Sequence, residues 1–195
     1  MNAEHIVLGI VDACDGRLEG RTYLQRMGYF VSKALATLIG YRPHYYGPYS
    51  RLVAAEIDSA VARGILSERR EEFRSHLPPA GQFEHVRYTY QLTDAGREYL
   101  NALTRRDGQW FTQVASIVSR VRETGADYRQ LSCAAKVDHL LTAAGGRITR
   151  RRAKAEARKL GWHLSDSDIE TAVDVLEELG IAKRTANRRT RRKPR

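Results

Sequence analysis

The stretch that decides the fold is YSRLVAAEIDSAVARGIL, residues 49–66, because it holds a helix, a helix stop and the start of a strand. Its apolar side chains recur at helical spacing, which predicts a helix from Tyr49 to Arg63. Gly64 is the kind of residue that ends a helix in a left-handed conformation. Ile65-Leu66 then opens a strand. The residues that form the apolar stripe of the helix are Leu52, Val53, Ile57, Ala60 and Val61.

The segment HVRYTYQL, residues 85–92, predicts a second strand that pairs with the first. Val86, Tyr88, Tyr90 and Leu92 alternate with polar residues, as in a strand with one buried face. The residues between the two strands are charged and are interrupted by proline and glycine, which is typical of a loop. The prediction is a β-hairpin, or wing, over about residues 65–92.

Helices are predicted on both sides of this core. Residues 4–14 and 20–38 precede it with apolar side chains at helical spacing, and Thr93 can cap a helix that follows the hairpin. Three helices, a hairpin with a long loop and a further helix follow the order of a winged helix. The fold class expected is therefore mainly α with a small β-hairpin wing, the winged helix occupying residues 1–104.

The second half of the chain predicts a separate helical unit. An amphipathic helix over residues 108–122, within a segment 105–128, is expected to bridge the halves. Residues 129–182 then form a helix-turn-helix-like three-helix unit, and residues 183–195 have no apolar periodicity and are expected to be a basic disordered tail. The three short helices are predicted at 131–144, 149–160 and 165–179.

The aromatic stretch YRPHYYGPYS, residues 41–50, connects the second and third predicted helices and holds four of the ten tyrosines. Gly47 and Pro48 suit a sharp entry into a helix. About half of these tyrosines are expected to pack against the wing strand, where Tyr88 and Tyr90 lie. A base-stacking surface is the less favoured interpretation, because Arg42 is the only Lys or Arg in the stretch.

The net charge of +10 is placed unevenly. Residues 1–104 hold twelve Lys or Arg and twelve Asp or Glu, whereas residues 105–195 hold twenty-one and eleven. Within that half, residues 147–160 sum to +6, residues 161–182 to −6 and residues 183–195 to +8. Such segregated positive charge favours polyanions such as nucleic acid and needs no base contacts to do so. A solubility tail is the alternative.

The candidate nucleic-acid-binding residues follow this charge and not the helices that a helix-turn-helix protein normally places in the major groove. The helix predicted at residues 49–63 is neutral, and the helix at residues 165–179 carries six acids that phosphate should repel. That acidic helix is instead a candidate docking site for a protein partner. The candidate residues are Arg147, Arg150, Arg151, Arg152, Lys154, Arg158, Lys159, Arg184, Arg188, Arg189, Arg191, Arg192 and Lys193, with Arg51 and Arg87 as secondary contacts.

No pattern indicates catalysis, and we expect a non-enzyme without cofactor or metal. The sequence lacks the phosphate-binding, nucleotide-binding, nucleophile-elbow and H-E-x-x-H motifs. His76 and His85 flank the wing loop and are a weak metal pair. Asp166, Asp168 and Glu170 open a helix, where acids are favoured by the helix dipole, so a structural role is preferred over a Mg²⁺ site.

Cysteine use and the N-terminus favour a cytoplasmic location. Cys14 and Cys133 are far apart and show no CxxC spacing, which suggests reduced thiols. The first residues carry acids and do not resemble a secretory signal, and no apolar run is long enough to cross a membrane. We therefore expect no membrane partner.

Two pairs of motifs resemble a known family. GRTYLQRMGYFV with YYGPYSRLVAAEIDSAVARGIL, and LSCAAKVDHLL with KAEARKLGWHLSDSDIETAVDVLEELGI, resemble the YwgA-like family of small bacterial and archaeal proteins over roughly residues 5–182. That resemblance implies a winged-helix fold and a regulator-like role, and it transfers no catalytic residue. The LQ–YF helix and the YGP turn are also similar to the core of SocA-like (Panacea) antitoxin domains.

The function expected from the sequence is nucleic-acid binding. DNA is preferred over RNA, and a transcriptional regulator is the favoured class. The alternative is a protein-binding adaptor or antitoxin-like module that acts on a partner protein. A homodimer, the target sequence and any effector are left open.

Overall fold

The computed structural model describes residues 2–37, 39–72 and 86–182. Within them the chain is mainly helical, with a small three-stranded antiparallel sheet. The helices are α1 (Ala3–Ala13), α2 (Arg21–Ala34), α3 (Arg51–Ala62), α4 (Asp94–Glu123), α5 (Tyr128–Ala143), α6 (Arg150–Lys159) and α7 (Asp166–Glu178). The strands are β1 (Arg17–Glu19), β2 (Leu66–Glu72) and β3 (Val86–Leu92).

The stretch 49–66 folds as its sequence predicts. Ser50 caps α3, because its hydroxyl accepts a hydrogen bond from the backbone N–H of Val53 at 3.2 Å. Gly64 follows α3 with a φ of +70°, the left-handed conformation that a side chain would strain. The backbone N–H of Ile65 then bonds the Ala60 carbonyl at 2.9 Å and turns the chain into β2.

The sheet has the order β1-β3-β2, with every pairing antiparallel. Strands β2 and β3 pair from Leu66 opposite Leu92 to Glu72 opposite Val86, which confirms the two predicted strands. Strand β1 was not predicted: it is only three residues long, and a single buried side chain, Leu18, gives no alternating pattern to detect. The wing loop, including His76 and His85, lies outside the described residues.

Helix α4 covers both the helix predicted after the hairpin and the predicted bridging helix. Helical geometry breaks at Asp107, with φ −125° and ψ 25°, so two helical segments meet at a kink close to the boundary that the sequence places after residue 104. The second half of α4 packs on α1: a Cβ atom placed on Gly9 would lie 3.0 Å from Val114 and 3.3 Å from Phe111. Residues 108–122 therefore help build the first unit as well as reaching the second.

Helix α4 also approaches the backbone before β2 very closely. Thr93 caps the helix by accepting a hydrogen bond from the Gly96 N–H at 2.9 Å, as predicted. A Cβ atom on Gly96 would lie 2.0 Å from the Ile65 carbonyl oxygen. Only glycine fits at that crossing, so the start of α4 is fixed against the strand entry.

The C-terminal helices begin and end close to their predicted positions. Thr149 caps α6 and Ser165 caps α7, as the sequence indicates. Helix α5 begins earlier than expected, since Asp127 and Gln130 form a capping box before the first apolar residue. Alanines and larger aliphatic side chains such as Leu131 and Leu176 share the interior of this unit, and the one large aromatic ring in it is Trp162, which is fully buried. The fully buried alanines of the unit are Ala134, Ala135, Ala157 and Ala172.

The aromatic turn 41–50 lies at the junction between the two halves. Arg26 of α2 is 1% exposed; its guanidinium donates to the carbonyls of Pro48 and Tyr46 in the turn and to the Ser132 hydroxyl of α5 at 3.1 Å. From the other side, Trp162 Nε1 donates to the turn at 2.7 Å. The turn is thus held by buried donors from both halves.

The prediction that half of these tyrosines pack against the wing was wrong. The Tyr41 ring packs edge-on against Tyr29 of α2, with ring centroids 5.3 Å apart. Tyr45 and Tyr46 contact each other, and Tyr49 contacts His44 within the turn. The reason is the Arg26 anchor, which draws the turn toward α2 and α5 and away from β3.

A second set of polar contacts joins α2 to α5. The Tyr29 hydroxyl donates to Asp138 Oδ2 at 2.6 Å, and Lys33 Nζ lies 3.1 Å from the same oxygen. Burial and the neighbouring carboxylate raise the pKa of Tyr29 well above its ordinary value. The phenol therefore stays a proton donor to Asp138 throughout the physiological range.

Candidate nucleic-acid interface

Helix α6 carries the largest group of predicted binding residues within the described part of the chain. The Thr149 hydroxyl begins it by accepting a hydrogen bond from the Arg152 backbone N–H at 3.3 Å. Its buried residues are Ala153 and Ala157, small enough to let α6 lie close to α5. Gly161, with φ +72°, follows its end. With so narrow an apolar stripe, the long basic side chains lie on the surface.

Two basic side chains of α6 bind acids of α7. Arg150 Nη1 lies 2.6 Å from Glu170 Oε1, and Lys154 Nζ lies 3.2 Å from Asp166 Oδ1. Exposed pairs of this kind contribute about 0–1 kcal/mol each, so they orient the two helices more than they stabilise them. The acidic segment thus neutralises one side of α6 within the molecule.

The rest of α6 keeps its positive charge. Lys159 pairs with Glu156 on the same helix at 2.9 Å. Arg151, Arg152 and Arg158 are exposed and form no salt bridge with any described residue. At 3.6 residues per turn, Arg151 and Arg158 lie only about 20° apart around the helix axis, and Arg152 lies about 100° from Arg151. We call these three exposed arginines, Arg151, Arg152 and Arg158, the α6 basic face.

The start of α6 concentrates this charge against the usual preference of a helix. Its first turn holds Arg150, Arg151 and Arg152 and no acid. Because the N-terminus of a helix already carries a partial positive charge, cations there are unfavourable by a few tenths of a kcal/mol each. Helix stability therefore does not explain the arrangement.

Arg147 precedes α6 and borders a cleft between the helices of the described residues. That cleft has a volume of about 600 Å³ and is lined by side chains of α2, α5, α6 and α7, including the Lys33–Asp138 and Arg150–Glu170 pairs. Arg147 itself is exposed and forms no salt bridge among the described residues. Its neighbours carry both signs of charge, so this site is less suited to phosphate than the α6 basic face.

The first acids of α7 have structural roles. Asp168 and Ser165 form a capping box, in which the Asp168 carboxylate accepts a hydrogen bond from the Ser165 backbone N–H at 2.9 Å. Partial burial raises the pKa of Asp168, but the hydrogen bonds from Ser165 lower it more, so that this pKa lies below its ordinary value. Asp166 and Glu170 are occupied by cations of α6.

The two secondary candidates lie apart from each other. Arg51 is exposed in the first turn of α3 and forms no salt bridge with a described residue. Arg87 lies in β3, where its guanidinium is 3.9 Å from a Glu19 carboxylate oxygen of β1. Arg184, Arg188, Arg189, Arg191, Arg192 and Lys193 lie outside the described residues.

Two residues of the junction were not among the predicted site residues. Arg42 is exposed in the turn, beside Pro43, and shares a cleft with Arg51. The Trp162 indole, which holds the turn at the His44 carbonyl, comes directly after α6. In the sequence, Arg42 is visible only as a basic residue among aromatic ones, and Trp162 only as a tryptophan after a helix. Neither pattern indicates a particular contact.

No three His, Cys, Asp or Glu side chains in ranges 2–37, 39–72 and 86–182 come together as metal ligands would. In the same ranges, no helix combines the length and the apolar character needed to cross a lipid bilayer. Burial raises the pKa of Cys133 to about 11, so this thiol is protonated at neutral pH.

Comparison with known proteins gives one informative similarity. The chain is 32% identical over 102 residues to the uncharacterised protein YwgA of Bacillus subtilis (strain 168). The matched region covers 52% of this chain and 56% of YwgA, so the chain spans about half the length of that curated relative. No protein-family profile matches the sequence. The similarity supports a YwgA-like relationship and says nothing about activity.

Proposed function

We propose that this chain is a DNA-binding, regulator-like protein of the winged-helix type, which holds duplex DNA through phosphate contacts from α6 and the arginine-rich tail. The observation that carries the proposal is the α6 basic face. Three exposed arginines stay without acidic partners while the neighbouring cations of the same helix are paired. Unpaired surface arginines can replace the counterions of a phosphate backbone, which is the main source of non-specific affinity.

The arrangement of the first unit supports the winged-helix part of the proposal. The chain order is α1-β1-α2-α3-β2-β3, and the sheet order is β1-β3-β2. In a winged helix the third helix lies before the hairpin and faces the major groove. Here that helix would be α3, with β2 and β3 as the wing.

Helix α3 is poorly equipped to read bases, which favours phosphate contacts. Arg63 follows its last turn and binds Glu4 and Glu56, at 3.1 and 2.8 Å. Ala55 is exposed and Ser59 is half-buried, and both side chains are short. Few long polar side chains are left to reach base edges, so sequence discrimination by direct readout should be weak.

The test is binding of a duplex of about 20 base pairs by fluorescence anisotropy at about 50–200 mM salt. We expect affinity to fall steeply with salt, and Arg151→Ala/Arg158→Ala to lower the slope of log K against log salt by about 2, roughly one unit per phosphate contact. Lys154→Ala/Lys159→Ala removes the same charge from paired positions and should change the slope less. Truncation after Thr185 should lower the slope of log K against log salt further.

No detectable binding by the intact chain at the lowest salt would overturn the proposal. Equal effects of the two double variants would show that net charge, and not the α6 basic face, determines affinity. Tighter binding to a single-stranded RNA of the same length would transfer the proposal from DNA to RNA.

A second candidate function is a protein-binding adaptor, and one observation favours it. Leu52 of α3 is 58% exposed and stands between two shallow clefts, an unusual position for a leucine on a helix that would face DNA. Purification from the native host would distinguish the candidates: a stoichiometric protein partner that is lost in Leu52→Asp supports the adaptor. Recovery of nucleic acid alone counts against it.

A further inference from the structure

We infer that Arg42 and Arg51 extend the α6 basic face across the aromatic turn, so that one DNA duplex contacts α6 and the start of α3 together. The inference rests on the proposed function and adds a second cationic site to it. The sequence does not predict that Arg42 lies near Arg152, because the two residues are more than a hundred positions apart.

Two adjoining clefts connect the two sites. One, of about 460 Å³, lies at the start of α3 and is lined by the turn and by Arg42, Arg51 and Leu52. The other, of about 370 Å³, lies between α5 and α6 and is lined by Arg152 and Lys159, among others. Pro43 lines both clefts. The surface therefore runs from α6 over Pro43 to α3 without an intervening element.

The charge along this surface has one dominant sign. No acid lines the cleft at α3, and neither Arg42 nor Arg51 forms a salt bridge with a described residue. The one acid in the cleft at α6 is Glu156, and Lys159 neutralises it at 2.9 Å. The acids of α7 lie on the other side of α6, where they pair with Arg150 and Lys154. A polyanion can follow this surface without meeting an unpaired carboxylate.

The turn holds the two cationic sites at a fixed separation. Arg42 and Tyr49 bond each other through their backbones in both directions, at 3.0 and 2.9 Å. Arg26 anchors the following carbonyls from inside, and Trp162, next to α6, bonds the turn at the His44 carbonyl at 2.7 Å. A rigid spacing between charges lowers the entropic cost of binding a stiff rod such as duplex DNA.

This anchoring also explains why so many aromatic residues occur in the turn. Tyr41 packs on α2 and hydrogen-bonds the Gln25 carbonyl at 3.1 Å, so it stabilises the turn from below. Tyr45 is 54% exposed and lies on the outside. Tyr41 thus supports the turn beside Arg42, and phosphate contact falls to the arginines.

The test compares Arg42→Ala/Arg51→Ala with Arg105→Ala/Arg106→Ala, which removes the same charge from an exposed part of α4 outside both clefts. Binding to the same duplex is measured across salt. We expect the first pair to lower the salt slope by about 2 and the second to leave it close to that of the intact chain. Arg42→Gln/Arg51→Gln, with melting followed by circular dichroism, repeats the comparison if the alanine pair lowers the melting temperature.

The outcomes separate this inference from the proposed function. If Arg151→Ala/Arg158→Ala weakens binding but Arg42→Ala/Arg51→Ala behaves like the α4 control, the extended surface is wrong and the α6 proposal stands. If the intact chain does not bind DNA, both are wrong. If both α6 and turn variants lower the slope, and their combination lowers it by the sum, one duplex spans both sites.

Discussion

Surface cations form salt bridges to different extents in the two units of the molecule. The N-terminal unit comprises α1 to α4 with the sheet, and the C-terminal unit comprises α5 to α7. Around α3 the cations find acids nearby: Arg63 binds Glu4 and Glu56, and Arg21 binds Asp58 at 2.7 Å. On α6 half of the cations form no salt bridge with a described residue, and the same holds for Arg42 and Arg51 at the start of α3. The difference shows that unpaired positive charge is concentrated on α6 and at the start of α3, whereas Arg21 and Arg63 are paired.

The two units also differ in what fills them. The N-terminal unit buries large side chains such as Phe30, Met27 and Ile57 completely. The C-terminal unit completely buries several alanines, Leu131 and Leu176, and it has one large buried ring, Trp162. Its interior is therefore expected to be sensitive to the loss of that ring.

Trp162→Ala should give the largest loss of stability, about 3–5 kcal/mol, because it removes the largest buried side chain of the C-terminal interior and the hydrogen bond to the His44 carbonyl. Urea unfolding followed by circular dichroism measures it. Trp110→Ala, which alters a half-buried tryptophan on α4, should cost clearly less. Equal losses for the two variants would contradict the contrast between the units.

Gly96→Ala should cause the next largest loss of stability, about 1–3 kcal/mol or more. The new methyl group would clash with the Ile65 carbonyl, and neither backbone segment can move far. Gly108→Ala is the matched control on the same helix, where the nearest atom to a new Cβ is 3.9 Å away. That control should stabilise the protein by about 0.5–1 kcal/mol. A Gly96→Ala variant as stable as the unaltered chain would show that α4 does not contact β2 so closely.

Much of the fold could be predicted from the sequence, and the elements that could not be predicted have physical causes. Helical spacing, Gly64 and the Thr149 and Ser165 caps gave element positions, since these are local signals. Strand β1 and the course of the aromatic turn depend on contacts with distant residues. In particular, Arg26 looks like any basic residue on a helix, and only tertiary packing buries it against the turn and Ser132.

The candidate site, too, could be predicted from the sequence only in part. Composition revealed the charge of α6, because segregation of charge is visible in the sequence. Which of its cations stay unpaired depends on where the acids of α7 come to lie. The grouping of Arg42 with Arg152 likewise needed the folded chain.

The smallest predicted effect is the pH dependence of the α7 cap. Because hydrogen bonds lower the native pKa of Asp168, its contribution is present above the unfolded value of about 3.9 and is lost as the pH falls through the native pKa. We expect Asp168→Asn to destabilise the protein by about 1 kcal/mol at pH 7 and by less as the pH falls through the native pKa of Asp168. Urea unfolding at a series of pH values measures the difference. Glu178→Gln, an exposed change on the same helix, should leave the profile unaltered.

The buried guanidinium of Arg26 has a consequence for cooperativity. If α5 detached, Arg26 would lose the Ser132 hydroxyl and be left partly solvated beside an apolar surface, and the Tyr29 hydroxyl would lose Asp138. Neither half can therefore open without a penalty in the other. The chain should melt in one transition, and amide protons of α2 and α5 should exchange with solvent at the rate of global unfolding.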